Sequence, residues 1–246
     1  MIKIITLVTK LIAIALTALL FASCNHSINS RSIEGSGNVT TEKRIVQGDF
    51  KSVEVNNAID LVIEQSDKVE IIVEADDNLQ NAITTKVENG KLIIACEYNS
   101  FNDITTKKVT VKMPVIEELE ASSASTIRSI GTLKGENISV NSSSAADIDV
   151  ALEADNINCD SSSGSSISVN GMALKLSASA SSGSNIEAKD LLANEVIADA
   201  SSGSTIEVHP IVSIDAEASS GGNINYNTRP KSVRKHSNSG GSINQE

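Results

Sequence analysis

SSGSSI (162–167), SSGSNI (181–186) and SSGSTI (201–206) are three copies of one hexapeptide, and their recurrence decides the fold. Working outward, the same frame fits SSASTI (122–127), SSAADI (143–148), SSGGNI (219–224) and NSGGSI (238–243), with starts 21, 19, 19, 20, 18 and 19 residues apart. The sixth position is always Ile: Ile127, Ile148, Ile167, Ile186, Ile206, Ile224 and Ile243. The second position is always Ser, and the fourth is Ser, Ala or Gly. Upstream of each copy, small and apolar residues occupy alternate positions. One column reads Ile138, Ile157, Leu176, Val196, Ile214, Val233, and another reads Leu119, Val140, Cys159, Ala178, Ala198, Ala216, with Lys235 breaking it at the end. A period of two is that of a strand and not of a helix.

A repeat near twenty residues, with two short alternating strands and a Ser-Gly corner, predicts one coil of a β-solenoid per copy. Parallel pairing stacks each Ile on the next, about 4.8 Å away. Corner glycines 164, 183, 203, 221 and 240 supply positive φ or close backbone approach. The inward serines are expected to hydrogen-bond along the axis. A Ser/Gly-rich disordered tail has a similar composition, but disorder does not require Ile at every matched position.

The segment 46–117 is rich in strands yet outside the repeat. Alternation marks Phe50–Val55, Ala58–Glu64, Val69–Glu74, Ile83–Val87, Lys91–Cys96 and Val109–Met113, with a turn at Glu-Asn-Gly (88–90). It reads as an N-terminal β cap, or as diverged coils, covering one raw end of the solenoid at 118–246. At the other end RPKSVRKH (229–236) reads as a blunter cap, with a basic lipid- or polyanion-binding patch as its functional alternative.

The chain opens MIKIITLVTKLIAIALTALLFASC (1–24): a basic start, a twelve-residue apolar stretch, then small residues before Cys24. The stretch is shorter than the roughly 20 residues of a membrane span and is laid out as a secretory signal. Phe-Ala-Ser-Cys looks like a bacterial lipobox, so residues 1–23 are expected to be cleaved and Cys24 acylated, a membrane anchor. Residues 24–45, polar and without an apolar period, read as a tether. The 246 residues carry 20 Lys and Arg against 31 Asp and Glu, and the net charge of −11 becomes −13 after cleavage. That balance excludes a nucleic-acid partner, which needs a basic face. Cys96 and Cys159 both sit in alternating apolar patterns and read as buried thiols, with one disulfide as the alternative.

The chain resembles the putative auto-transporter adhesin head GIN domain family of Bacteroidetes envelope proteins. The resemblance rests on FKSVEVNNAIDLVIEQ (50–65), ENGKLII (88–94) and the serial SSGSxI and GGNIN/GGSIN segments, and it covers about 46–246. It implies an all-β fold with a β-helical body, an envelope location and an adhesive role, and it brings no catalytic or binding residues.

The residues themselves offer little chemistry. The three histidines, His26, His209 and His236, sit in the tether, a corner and the basic terminal stretch, and no Gly-x-Ser-x-Gly elbow is present. Neither a zinc ligand set nor a repeated calcium motif occurs, so no cofactor or metal is expected. Asp147 and Asp149, joined by Asp155 or Asp160, form a weak Ca²⁺ alternative to plain surface acids. A polysaccharide-active β-helix enzyme would group carboxylates and bases in one groove, whereas the outward residues here vary from coil to coil. The candidate contact surface is that outward face: Asn185, Glu187, Thr205, Glu207, Asn223 and Asn225. The expected function is a non-enzymatic adhesion or binding module on an outer-membrane lipoprotein, with a glycan or protein ligand. The first alternative is a periplasmic structural or sensory lipoprotein, because no run of acids follows Cys24, and the second, ranked below it, is the polysaccharide-active β-helix enzyme.

Overall fold

Inter-coil pairing accounts for most of the chain. The computed structural model describes residues 31–246, and Lys10 before them. The expected signal 1–23 and the acylated Cys24 lie outside the described residues, Lys10 apart. Strands β1 (Ser32–Glu34), β2 (Val39–Arg44), β3 (Ser52–Val55), β4 (Asp60–Gln65), β5 (Glu70–Asp76), β6 (Ile83–Glu88), β7 (Lys91–Cys96), β8 (Ser100–Asn102) and β9 (Lys107–Met113) precede the repeats. β10 (Glu118–Ala121), β11 (Thr126–Ser142), β12 (Asp147–Ser161), β13 (Ser166–Ala180), β14 (Asn185–Ala200), β15 (Thr205–Ala218), β16 (Asn223–Tyr226), β17 (Ser232–Ser237) and β18 (Ser242–Gln245) build the solenoid.

The Ile column is continuous. Ile127 pairs with Ile148, then Ile167, Ile186, Ile206, Ile224 and Ile243, each on the next parallel strand. All but Ile243 are fully buried. Each such side chain contributes about 1.5–3 kcal/mol through its removal from water. Aliphatic stacking of this kind explains how a chain with 2% aromatic residues fills a core.

Each middle coil differs from two short strands in one respect: it is a single bent strand of 14 to 17 residues. Adjacent exposed residues mark the bend, as at Asp155–Asn156, Leu174–Lys175 and Asn194–Glu195. Pairing skips the bend residue and resumes beyond it, as where Ala154 pairs with Ala173 and Asn156 with Lys175, and bulges before the bend absorb the differences in coil length. The segment between the Ile column and the bend adds its own inward layer, with Leu133, Leu152 and Leu191 buried. Gly171 enters that layer opposite Leu152, where a Cβ would lie 2.0 Å from the Leu152 carbonyl oxygen.

The Ser-Gly corner closes each coil. Its second and third residues both have positive φ, for instance Ser182 at 55° and Gly183 at 70°. Two successive left-handed residues reverse the chain tightly. The corners also bond to one another: the Gly164 amide donates to the Ser182 carbonyl at 3.1 Å, and Gly183 to Ser202 at 3.1 Å. The inward Ser hydroxyls act along the axis on backbone and not hydroxyl to hydroxyl. Ser165, Ser184 and Ser204 donate to the carbonyls of Ser142, Ser161 and Ala180 at 2.8, 2.7 and 2.7 Å.

Upstream of the repeats, β3 pairs in parallel with β10 and β7, while β4 pairs in parallel with β11 and β9. Leu61 and Val109 thereby extend the Ile column. Asn57 and Ala58 adopt positive φ of 64° and 54°, a Ser-Gly corner in other residues. Antiparallel β2, β5 and β6 then cover this end. The stretch expected as a tether differs from its reading, since β1 and β2 lie within it. Val and Thr favour a strand even without an apolar period, and β2 is an edge strand with mostly exposed side chains. Buried Asp76 holds the entry loop, accepting from the Gly37, Thr105 and Thr106 amides at 3.0, 3.1 and 3.1 Å. Cys96 and Cys159 are free and buried.

Candidate functional site

The polar ladder is set by strand geometry. Residues flanking a buried Ile must point outward, and parallel pairing in register places the same repeat position of each coil side by side. Asn185 therefore pairs with Thr205 and Thr205 with Asn223, while Glu187 pairs with Glu207 and Glu207 with Asn225. All six candidate residues come together on adjacent strands. The rows continue to Ser242 and Asn244 in one direction and to Ser166 and Ser168 in the other.

Hydrogen bonds order one end of this face. Ser242 Oγ donates to Asn223 Oδ1 at 2.6 Å, and Asn244 Nδ2 reaches Asn223 and Asn225 at 3.2 and 3.3 Å. Asn185 Nδ2 reaches Glu187 at 3.4 Å. Lys189 lies 3.6 Å from Glu207 and offsets one carboxylate, leaving Glu187 the exposed acid of the pair. The arrangement offers amide, hydroxyl and carboxylate groups at a fixed spacing on a rigid sheet, a surface for repeated hydrogen bonding.

Other groups singled out in the sequence do not converge. Asp147 and Asp149 belong to the ladder rows, whereas Asp155 lies at the bend and Asp160 in the third segment of the coil. No group of three His, Cys, Asp or Glu gathers among the described residues. His209 Nδ1 lies 3.1 Å from the Lys189 carbonyl. The inward serines are engaged by backbone carbonyls. Cys159 is inert, because burial pushes its thiol up to about 12.

One surface feature was missed. A trench of about 470 Å³ follows the bend, lined by Met172, Leu174, Leu192 and Ile211 with Lys134 and Glu153. Met172 and Leu174 are more than half exposed. Their signal in the sequence was apolar residues standing outside every column, which the columnar reading passed over.

Fold and surface together define a β-solenoid with a laddered polar face and a covered N-terminal end. The chain belongs to the family described as "Putative auto-transporter adhesin, head GIN domain", whose model matches residues 49–230. That description names adhesion and no catalysis, and it points to the cell envelope. A search of the curated proteins found no match. Among solved structures, a "putative adhesin" from Bacteroides fragilis is similar at 20% identity and a TM-score of 0.80, over 87% of this chain and 100% of that one. One from Parabacteroides merdae is similar at 21% identity and a TM-score of 0.70, over 88% and 100%. A Parabacteroides distasonis protein described as "Putative lipid binding protein" is similar at 23% identity and 0.71, over 88% and 100%. At these identities the likeness is one of fold.

Proposed function

We propose that this chain is a lipid-anchored, non-enzymatic adhesion module of the outer membrane, held by acylated Cys24 and binding a glycan or protein through its polar ladder. The observation that carries the reading is the in-register row of Asn185, Thr205 and Asn223 beside Glu187, Glu207 and Asn225. Groups repeated at about the strand spacing suit a polymeric ligand, whose successive units are met by successive coils. Weak contacts then add through avidity. A glycan array on the protein tests this, followed by Glu187→Lys with Glu207→Lys. Loss of a captured glycan in the double variant, with an unchanged melting curve, supports the face; unaltered capture refutes it.

A second reading, a periplasmic scaffold or sensor, draws on the absence of acids directly after Cys24. Protease treatment of intact cells separates the two. Digestion of the body beside an intact periplasmic control supports adhesion, and protection until the outer membrane is permeabilised supports the scaffold.

A further inference from the structure

Charge is distributed unevenly along the solenoid axis. Residues 32–226 contain thirteen Lys and Arg against thirty Asp and Glu, a net of −17. Residues 227–246 contain Arg229, Lys231, Arg234 and Lys235 against Glu246 alone, a net of +3. This cationic segment holds β17, whose six residues are all exposed. Its inner edge pairs with β15, and no strand among the described residues pairs with its outer edge.

The inner pairing shows what β17 accepts. Ile214, Asp215, Ala216 and Glu217 of β15 stand opposite Val233, Arg234, Lys235 and His236. Arg234 Nη1 meets Asp215 Oδ2 at 2.7 Å while its side chain stays 80% exposed. Val233 continues a column whose earlier members are buried, yet it is 45% exposed. The outer edge thus presents backbone donors and acceptors, an uncovered apolar side chain and a cation that already binds a carboxylate.

We propose that the outer edge of β17 docks an acidic, extended polypeptide segment, which adds to the sheet as a further parallel or antiparallel strand. An alternating apolar–acidic strand matches it as SIDAEA (213–218) matches the inner edge. End-to-end pairing with a second copy would oppose Arg234 and Lys235 to the same cations. A flexible polyanion would leave Val233 and the backbone edge unused, and Lys235 is partly engaged, 4.6 Å from the Tyr226 ring centre. The site shares no residue with the polar ladder, so either proposal can fail alone.

The test is fluorescence anisotropy on the full-length chain with a labelled peptide, VSIDAEAS, copied from 212–219. Saturable binding is expected, at least about tenfold weaker for a peptide whose two acids are Lys and for Arg234→Glu with Lys235→Glu. N-methylation of the backbone nitrogens in both phases within one peptide, which blocks both of its edges, is expected to abolish it, because strand addition in either direction needs the N–H groups of one edge. Arg234→Gln provides a milder variant, and a thermal melt of each confirms the fold. Equal binding of the N-methylated peptide would overturn the proposal. So would binding of dextran sulfate without the peptide, or concentration-dependent self-association as the sole event.

Discussion

Ser184 Oγ donates to the carbonyl of Ser161 in the preceding coil at 2.7 Å and accepts from the Ser181 amide at 3.1 Å. One hydroxyl thus closes its own corner and ties that corner to its neighbour. Ser184→Ala is expected to cost about 1–3 kcal/mol, the range for unpairing buried polar groups. Ala146 and Gly222 fill the same repeat position, so the coil tolerates the smaller size. Ser184→Leu adds bulk at a fully enclosed site and is expected to prevent cooperative folding. Thermal denaturation followed by circular dichroism distinguishes the two.

Left-handed backbone at the third corner position is occupied by Ala124 and Ala145, with φ of 60° and 61°, where later coils carry Gly. A Cβ is strained in that conformation. Ala145→Gly is expected to stabilise by about 0.5–1 kcal/mol, the reverse of the usual helix effect. Gly183→Val is expected to destabilise by more, although its Cβ would meet nothing within 4 Å, because the strain is in the backbone itself. Urea midpoints of both variants check the signs.

Ile206 is buried between Ile186 and Ile224 in the central column. Ile206→Asp places a charge there without a partner and is expected to unfold the body. A cooperative melt near the parent temperature would contradict the register.

Burial pushes the Asp76 carboxyl up, but the amides of Gly37, Thr106 and Thr105 outweigh it and hold its pKa below the usual range. A carboxyl lowered in the folded state adds stability above its unfolded pKa, about 3.9, and loses it as pH falls through the folded value. Asp76→Asn is expected to cost about 1–3 kcal/mol at neutral pH, since its amide NH₂ cannot accept from those donors. The gap should narrow on acidification below pH 4, read from denaturant melts across pH.

The Cys159 thiol, pushed up to about 12 by burial, is expected to resist iodoacetamide at pH 8 and to react fully once unfolded. Mass mapping of the Cys159 peptide gives the answer. Modification in the native state would show an open coil.

The ladder residues were legible because the periodicity that names an inward Ile names its outward neighbours too. The apolar trench was not. Met172, Leu174 and Leu192 look like core residues in a linear string, and only the folded coil shows that the small Ala173 and Ala193 face inward while these larger side chains face out. β2 was hidden for the opposite reason: an edge strand buries little, so Val39–Arg44 carries no apolar period. The N-terminal coils kept the hydrogen bonding of the repeat while exchanging Ser-Gly for Asn57–Ala58, which breaks the pattern in letters but not in φ.

The sequence by itself determined the coil: its length, its buried columns and its Ser-Gly corner, because those depend on residues close in the chain and repeated at one period. Tertiary structure decided where each coil bends, how antiparallel strands close the N-terminal end, and that the cationic outer edge of β17 has no partner strand among the described residues. Those outcomes depend on which strands lie beside one another, and pairing between distant segments is written in no local pattern.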